Sequence, residues 1–407
     1  MGDVVFLESN ATGTALEAMR MARVQGHKVR FLTAEPEFYD AHKVPIWDAV
    51  DSVHLCNTYD LSHVVATLGQ LHPIGILAFD DFRLVAAAMA AQVLDLPHLP
   101  LKGLINCRFK HLARAALRNE GVPWFSTYDD LASLQESPPK FPFVLKAVDD
   151  SGSVGVFHCR EDADLVRACD FLSNHRVNPR GYTLLKKFLV EEAIEGPEYS
   201  AEVIWDQHRQ EWHLVGFTAK STSAGLYSVE TGHVFPHDFG HENQQRYAAT
   251  VKRWLLTLDL RGGVAHVEFR VRDGKPILIE VNPRPAGGRI SELVKLACGL
   301  DIVKAYFDYH LGDAAALAPA SSRCYAGIAY ITSTRQGVVS GVDVPEDLAT
   351  TAVKMSLPKI GSVAPGLTSN NDRLGYAIFS CSDRHAIETS MAEFLSGLRL
   401  SIQPNMA

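Results

Sequence analysis

Two glutamates and an asparagine stand in a stretch that is typical of paired β-strands. The stretch runs from 265 to 289 and reads AHVEFRVRDGKPILIEVNPRPAGGR. Its first strand carries Glu268, and its second carries Glu280 and Asn282, followed closely by Arg284. Carboxylate and amide oxygens are hard ligands that suit Mg²⁺ bound to nucleotide phosphates. The stretch therefore predicts a metal-dependent phosphate site, with ordinary surface carboxylates as the alternative.

The register of these two strands decides whether the glutamates can act together. A two-residue loop at 273–274 would send Glu280 to the far side of the sheet from Glu268. A three-residue loop, or a neighbouring bulge, would place both glutamates on one face, roughly 5–8 Å apart. We predict the three-residue loop. On the opposite face we expect a buried set of apolar side chains, namely Val267, Phe269, Ile279 and Val281.

Further candidate residues lie upstream, in elements that can surround a phosphate. Lys146 lies in a predicted strand, Phe143–Val148, where a buried lysine needs an anionic partner. The glycine- and serine-rich loop 149–155 follows it, and backbone N–H groups in such a loop can cradle phosphate oxygens. A plain hairpin turn is the alternative for this loop.

Other charged residues have ordinary structural interpretations. Lys110 and Arg114 lie one turn apart on a helix predicted from Arg108 to Asn119, where a solvated basic face is the default interpretation. Asp80 and Asp81 end a predicted strand, and a helix N-cap is favoured for them over a place in a cleft.

Two later segments carry polar residues with open roles. In FLVEEAIEGPEYSAEVIW, backbone groups two residues apart can pair with an adenine edge, and a carboxylate further on can hold a ribose. A solvated acidic turn is the alternative. The segment YSVETGHVF carries Glu230 and His233, and a lone histidine is more often structural than catalytic.

The composition is that of an ordinary globular protein. The 407 residues are 47% hydrophobic and long enough for two or three domains. A net charge of -8 argues against general nucleic-acid binding. Seven scattered cysteines without a C-x-x-C pair favour reduced thiols in a cytoplasmic protein over disulfides or a zinc site. We expect neither a signal peptide nor a membrane segment, which needs roughly 20 apolar residues.

The order of strand and helix signals predicts the domain organisation. Residues 1–100 alternate short apolar strands with helices, which favours a parallel sheet. Their first turn, ESNATGTA, lacks the spacing of a dinucleotide site, so we expect no nicotinamide cofactor there. Ala314–Ser322 is typical of a linker, and strands with a final helix follow it. We predict domains at 1–100, 101–312 with a lid at about 140–200, and 313–407.

The order of the motifs resembles the ATP-grasp superfamily over residues from about 100 to 310. The pieces are Lys110, Lys146 in FPFVLKAV, the loop DSGSVGV, the linker VEEAIEGPE and the pair HVEFR and LIEVNPRP. Five pieces in one order argue against a chance match. The resemblance implies a multidomain fold of α/β and α+β type. It comprises an N-terminal doubly wound α/β domain, an ATP-grasp fold and a small C-terminal α+β subdomain.

The resemblance also implies how ATP and Mg²⁺ would be held. Lys110 and Lys146 would contact the α- and β-phosphates, and the loop with Ser151, Ser153 and Gly155 would cover these phosphates. Backbone groups of Glu191 and Ala193 would pair with adenine, and the Glu198 carboxylate would bind the ribose. Glu268, Glu280 and Asn282 would ligate two Mg²⁺ ions, with Mn²⁺ as an alternative, and Arg284 would stabilise the transferring phosphoryl group.

Within the superfamily the chain most resembles bacterial L-amino acid ligases of the bacilysin-synthetase type. The sequence ETGH places Glu230 to bind a substrate ammonium, with His233 beside it. Arg284 and Gly287 would hold carboxylate groups, and Arg289 would add a contact or stay solvated. Some members have a bulky aromatic residue where this chain has Gly288, so we expect a wider acceptor pocket. The implied partners are small amino or carboxylic acids, with a homodimer compatible with the family and neither nucleic acid nor membrane involved.

Three functions remain open from the sequence. The leading prediction is an ATP-dependent carboxylate–amine ligase that forms an amide through an acylphosphate and releases ADP. The second is a biotin-carboxylase-like or purine-pathway enzyme that uses bicarbonate or formate as the acid, against which the ETGH segment argues mildly. The third is a nucleotide-binding regulator without catalysis, which would not need the whole phosphoryl-transfer set.

Overall fold

The computed structural model describes residues 1–10, 13–41, 44–223, 225–314, 317 and 324–404. Of the predicted linker at 314–322, only positions 314 and 317 fall within the described residues. The rest of that linker, and residues 11 and 12 of the first turn, lie outside them.

A parallel sheet with accompanying helices forms the N-terminal part of the chain. Its elements are β1 (Asp3–Leu7), α1 (Thr14–Val24), β2 (Lys28–Thr33), α2 (Pro36–Ala41), β3 (Ser52–Leu55), α3 (Leu61–Leu71), β4 (Gly75–Leu77) and α4 (Leu84–Val93). The strand order is β3-β2-β1-β4, and each pairing is parallel. Residues 4–7 of β1 are all fully buried, as in a strand that is covered on both faces. The predicted α/β alternation is confirmed.

A smaller antiparallel sheet follows a pair of helices. The elements are α5 (Leu101–Arg108), α6 (Lys110–Ala116), β5 (Phe125–Tyr128), α7 (Leu131–Glu136), β6 (Phe143–Ala147), β7 (Phe157–Cys159), α8 (Asp162–Asn174) and β8 (Phe188–Glu192). The strand order is β5-β8-β6-β7. The sheet contains Lys146 and Glu191, and the loop between β6 and β7 is the predicted phosphate loop.

Two local predictions in this region are wrong. The single helix predicted from Arg108 is interrupted, because Phe109 has extended backbone angles and a new helix begins at Lys110. The sequence also predicts a strand at Tyr182–Leu189, but the strand begins only at Phe188. The hydroxyl of Tyr182 and the N–H of Leu185 donate to the Asp149 carboxylate, so this segment satisfies polar groups without joining the sheet.

An eight-stranded antiparallel sheet forms the centre of the molecule. The remaining elements are β9 (Glu198–Asp206), β10 (Glu211–Thr222), β11 (Glu230–His237), α9 (His241–Thr257), β12 (Val264–Arg272), β13 (Lys275–Asn282), α10 (Ile290–Cys298), α11 (Ile302–His310), β14 (Tyr325–Ile331), β15 (Gln336–Asp343), α12 (Glu346–Thr351), β16 (Lys354–Ser356), β17 (Val363–Pro365), β18 (Gly375–Cys381), α13 (Arg384–Gly397) and β19 (Arg399–Gln403). The order is β13-β12-β9-β10-β11-β14-β18-β16. Strands β17, β15 and β19 form a separate sheet in that order.

The C-terminal segment therefore shares a sheet with the middle of the chain. Strand β14 pairs with β11, and β18 pairs with β14. The predicted strands near Tyr325–Ile331 and Ala377–Ser380 and the final helix are present. The domain limits at 100 and 312 stay predictions, but the sheet makes the C-terminal residues direct neighbours of the cleft described below.

The hairpin of β12 and β13 differs from the prediction in its turn. The loop has two residues, Asp273 and Gly274, both with positive φ, so the predicted three-residue loop is wrong. A bulge instead adds Ile279 to β13, because Phe269 pairs with Leu278 while Glu268 pairs with Glu280. The glutamates are therefore direct cross-strand partners, as required for a shared face.

The bulge also changes which apolar residues face the core. Val267, Phe269 and Val281 are buried against α9, as predicted, and Leu278 joins them. Ile279, predicted to lie in that core, lines the cleft beside Glu280. All seven cysteines are free thiols. Among the described residues, no helix combines the length and the apolar character that crossing a bilayer requires.

Candidate active site

A cleft of about 800 Å³ lies between the smaller antiparallel sheet and the central sheet. It is lined by nine of the residues that the sequence singled out: Lys110, Lys146, Ser151, Ser153, Glu191, Glu198, Glu230, Glu268 and Glu280. These positions come from separate helices, strands and loops. The fold therefore brings together the charged groups that the resemblance assigned to ATP.

The hairpin carboxylates lie at the floor of this cleft. Glu268 and Glu280 both line it, and a smaller adjoining cavity is lined by Glu280 and Asn282. The Glu280 carboxylate lies 3.6 Å from the Lys110 ammonium. These hard oxygen donors fit Mg²⁺. Their role as ligands stays a prediction.

A second acidic group, which we call the acidic cluster, consists of Glu198, Glu230 and Glu268. One oxygen of each carboxylate lies within 4.8 Å of the others, a spacing that suits a cation. The predicted metal set shares only Glu268 with it. Strand pairing explains the convergence, because β9, β10 and β12 are neighbours and β11 lies directly beyond β10.

Lys220 of β10 is the charged residue at the centre of the acidic cluster. Its side chain is 0% exposed, and its ammonium lies 2.5 Å from Glu230, 3.0 Å from Glu268 and 3.3 Å from Glu198. Burial alone would lower the lysine pKa, but the three carboxylates raise it well above its ordinary value. The sequence reasoning missed Lys220, although a lysine inside the apolar strand LVGFTAK was a usable signal.

Each member of the acidic cluster has a further cationic neighbour. Arg270 lies 3.0 Å from Glu198, and Arg373 lies 2.6 Å from Glu230. His266 lies 3.0 Å from Glu268 and also contacts the buried Glu202. The cluster is thus a network of paired charges, as burial of several carboxylates requires.

A second buried network lies where the nucleotide phosphates were predicted. The Glu191 carboxylate accepts a hydrogen bond from Arg114 at 2.8 Å and pairs with Lys146. Arg114 also donates to the carbonyl of Ile279, the bulge residue. The interpretation of Lys110 and Arg114 as a solvated basic face is wrong, because both are buried and face these partners.

The protonation of Glu191 follows from this pairing. Burial would raise its pKa, but Arg114 and Lys146 outweigh burial and lower the pKa to about 2. Burial is the largest influence on Lys146, whose pKa is lowered from its usual value. Lys146 therefore has the anionic partner that a buried lysine needs.

We expect Glu191→Gln to destabilise the protein by about 3–5 kcal/mol at neutral pH, since it leaves two buried cations without their anion. A carboxyl with a lowered pKa stabilises the folded state above its unfolded pKa, and this stabilisation is lost as pH falls towards 2. The difference in free energy of unfolding between wild type and Glu191→Gln should therefore become smaller below about pH 5. Urea unfolding of both proteins from pH 8 down to pH 4 measures this difference.

Glu192→Gln is the matched control for this prediction. Glu192 is the next residue and pairs with Arg272 at the partly exposed edge of the strand. Loss of the Glu192 charge should lower the free energy of unfolding by about 1 kcal/mol or less. Equal effects of the two variants would contradict a special role for the Glu191 network.

The phosphate loop, residues 151–155, closes one side of the cleft. Ser151 and Ser153 line the cleft, while Gly155 does not. Gly155 has a φ of +64, and an added Cβ would lie 3.1 Å from Leu172 of α8. Gly155 thus allows close packing on α8. The Lys110 ammonium donates to the carbonyl of Asp150 at the start of this loop.

The predicted adenine contacts are only partly brought to the cleft. Glu191 and Ile194 line it, while Ala193 lines an adjoining cavity that also contains Ile194 and Arg270. Ala193 and Ile194 both lie beyond the end of β8 at Glu192. The carbonyl of Ile194 accepts a hydrogen bond from Arg270, which also holds Glu198.

Arg284 is held by the N-terminal part of the chain. Its guanidinium donates to both oxygens of Asp81, at 2.7 and 2.6 Å. Burial would raise the Asp81 pKa, but Arg284 outweighs burial and lowers it. Asp80 accepts the N–H groups of Phe82 and Arg83 in the turn before α4. The N-cap of α4 is Arg83, and no side chain among the described residues caps the helix, so the predicted helix N-cap is wrong for both aspartates.

Glu230 of the acidic cluster has the buried His233 as a neighbour. The His233 ring lies 3.4 Å from the Glu230 carboxylate, and neither ring nitrogen has a hydrogen-bond partner among the described residues. Burial lowers the His233 pKa, so the imidazole is neutral. A neutral, buried and unpartnered imidazole can accept a proton or a hydrogen bond from a ligand.

The expected widening of the acceptor pocket at Gly288 stays a prediction. An added Cβ there would lie 2.9 Å from the Tyr330 hydroxyl and 3.0 Å from the His233 ring. Those two side chains therefore occupy the space that a side chain at 288 would take. The space beside Gly287 is open, and Arg289 pairs with Glu292 while stacking on Tyr376.

The chain has an ATP-grasp fold. A family model described as ATP-grasp domain matches residues 139–292. The structure is similar to an L-amino acid ligase from Bacillus licheniformis, with a TM-score of 0.81, 22% identity and 99% of each chain covered. It is also similar to phosphoribosylglycinamide synthetase from Anaerococcus prevotii, with a TM-score of 0.71, 16% identity, and 99% and 100% covered. At these identities the likeness shows the fold.

Particular relatives in sequence agree with this class. An uncharacterized protein y4rH of Sinorhizobium fredii is 26% identical over 98% of this chain and 83% of its own length. Dapdiamide A synthase of Enterobacter agglomerans is 26% identical over 58% of this chain, and Carnosine synthase 1 of Mus musculus is 26% identical over 57%. The matches span 57% and 30% of those two proteins. The predicted ATP-grasp fold is confirmed, and the residue roles stay predictions.

Proposed function

We propose that the chain is an ATP-dependent carboxylate–amine ligase that joins two amino acids through an acylphosphate and releases ADP and phosphate. One observation carries the proposal. A single cleft holds two buried lysines, the opposed hairpin glutamates and Glu230, which lies 3.4 Å from the buried His233 ring. A nucleotide site thus adjoins a site with the charges of an amino acid pocket.

The residues present fit ATP and Mg²⁺. Lys110 and Lys146 supply positive charge for phosphate oxygens, and Glu268 and Glu280 supply hard ligands on one face of the hairpin. The bound ion would neutralise phosphate oxygens during transfer. The number of ions, Mg²⁺ against Mn²⁺, a homodimer and a cytoplasmic location all remain predictions of the resemblance.

The proposed chemistry has two balanced steps. A carboxylate oxygen of the first substrate attacks the γ-phosphorus of ATP, and the bond from that phosphorus to ADP breaks. The amine of the second substrate then attacks the carbonyl carbon, and phosphate leaves as the amide forms. Arg284 supplies a fixed positive charge for the transferring group, and the neutral His233 can take the proton that the amine loses.

The Glu230 pocket is the proposed site of the first amino acid. A carboxylate pairs well with an ammonium, and the open space beside Gly287 leaves room for a substrate group. Lys220 and Arg373 already fix the Glu230 carboxylate in position. Fixed geometry lowers the cost of ordering the pocket when the substrate binds.

We expect the protein with ATP, Mg²⁺ and pairs from a panel of amino acids to release ADP and phosphate and to form an amide, identified by mass spectrometry. Controls contain bicarbonate or formate with an amine in place of the amino acid pair. AMP and pyrophosphate as products would rule out the acylphosphate route. Turnover with bicarbonate alone would favour the biotin-carboxylase-like alternative.

Glu230→Gln separates the two substrates in the same assay. Losing a charged hydrogen bond should raise the KM for the first amino acid about 10–100-fold, with a much smaller change for ATP. Glu292→Gln is a control, since Glu292 pairs with Arg289 outside the cleft lining. A selective loss of ATP affinity would contradict the substrate assignment.

A further inference from the structure

A turn in the C-terminal segment reaches the cleft. We call residues 369–373 the clamp turn. Its residues 370–372 form a short 3-10 helix, and the Asp372 carboxylate accepts the backbone N–H of Ser369 in a capping box. This capping makes the turn a defined structure that can hold its neighbours in place. Nothing in the sequence resemblance assigned a role to these residues.

Asn370 joins the phosphate loop to the start of β11. Its side-chain oxygen accepts the backbone N–H of Glu230 at 3.0 Å. Its side-chain nitrogen donates to the Ser153 hydroxyl at 3.4 Å, and its backbone N–H donates to the carbonyl of Gly152 at 3.3 Å. One residue therefore contacts both the loop over the proposed phosphates and the proposed amino acid site.

Arg373 holds Glu230 at two points. Its Nη2 donates to the Glu230 carboxylate at 2.6 Å, and its Nε donates to the Glu230 carbonyl at 3.0 Å. The guanidinium lies over the Tyr330 ring, 3.9 Å from the centroid. A guanidinium so placed fixes the rotamer of the carboxylate and keeps it ionised.

We propose that Asn370 and Arg373 are positioning residues that couple closure of the phosphate loop to occupancy of the Glu230 pocket. The proposal rests on the proposed function, because it takes Glu230 as the amino acid site and the loop as the ATP cover. Since both sites contact the same turn, a ligand that orders one of them favours the arrangement that the other needs. Binding of the amino acid should therefore raise the affinity for the nucleotide, and binding of the nucleotide should raise the affinity for the amino acid.

The first test is a titration with the nucleotide analogue AMP-PNP and Mg²⁺, with and without the amino acid that the panel selects. Wild type should bind the analogue more tightly when the amino acid is present. Asn370→Ala should remove most of that enhancement and weaken nucleotide binding about 2–10-fold, the range for a lost neutral hydrogen bond. Asn371→Ala is the matched control, because Asn371 is the adjacent residue of the same type and is exposed.

The second test uses Arg373 and the ratio of products. Arg373→Lys keeps the charge but not the two-point hold, so the KM for the amino acid should rise about tenfold with little change in that for ATP. More phosphate should be released per amide formed, because the loop closes without a positioned substrate. Arg335→Lys is the control, since Arg335 is an exposed arginine in the bend between β14 and β15 and lies outside the cleft lining.

The outcomes separate this proposal from the proposed function. The coupling would be overturned if Asn370→Ala and Asn371→Ala show the same nucleotide affinity and the same enhancement by the amino acid. It would also be overturned if Arg373→Lys has the KM and the product ratio of the wild type. If Asn370→Ala does not fold, Arg373→Lys decides the question alone. A wild type that forms no amide defeats the proposed function, and the AMP-PNP titration of the Asn370 and Asn371 variants still shows whether the clamp turn holds the phosphate loop.

Discussion

Replacing Glu280 by glutamine is expected to lower ATP turnover by about 10²–10³-fold while the protein stays folded. The bulge at Ile279 puts this carboxylate opposite Glu268 and 3.6 Å from the Lys110 ammonium. Glutamine keeps the size but removes the charge that would bind the ion. Because the Glu280 side chain is 23% exposed, its change should cost little stability.

Phosphate release at saturating ATP over a range of Mg²⁺ concentrations measures this effect. A loss of an ion ligand should raise the Mg²⁺ concentration needed for half of the remaining activity. Glu211→Gln is the control, since Glu211 is an exposed glutamate at the start of β10. Unchanged turnover in Glu280→Gln would remove this residue from the metal site, and an equal loss in both variants would point to a defect in folding.

Lys220→Met should destabilise the protein by about 3–5 kcal/mol, as much as Glu191→Gln, and should also abolish turnover. Methionine fills a similar volume but leaves the carboxylates of Glu198, Glu230 and Glu268 without their shared cation. Their mutual repulsion then favours protonation or movement of the side chains. Either response would disrupt the proposed amino acid and metal sites together.

Urea unfolding with circular dichroism, alongside the phosphate-release assay, tests the Lys220 prediction. Lys275→Met is the matched control, because Lys275 is an exposed lysine at the start of β13. That control should change stability by about 0.5 kcal/mol or less. If Lys220→Met is as stable and active as Lys275→Met, the lysine does not hold the acidic cluster together.

The hairpin shows what a local pattern can and cannot predict. Alternation placed Glu268, His266 and Arg270 on one face of β12, and that was correct. The same reasoning placed the extra residue in the turn, whereas the structure has it at Ile279. An extra residue shifts the pairing register by the same amount whether it lies in the turn or in a bulge. The sequence pattern alone therefore did not distinguish the two positions.

The buried charges show a different limit. Lys146 was expected to need an anion, but its partner Glu191 lies far along the chain and was assigned to adenine through its backbone. Arg114 was read as solvated because helix spacing gives no information about which strand packs on that face. Pairing between distant residues has no local signal, so only packing reveals it.

The sequence by itself determined the alternation of strands and helices, the ATP-grasp order of motifs and nine of the residues that line the cleft. Those features depend on local periodicity and on residue type. The tertiary structure decided that Lys220 lies among three carboxylates, that Arg284 pairs with Asp81, and that the clamp turn contacts Glu230. Each of these depends on strand order and register, which bring residues from distant parts of the chain within hydrogen-bond distance.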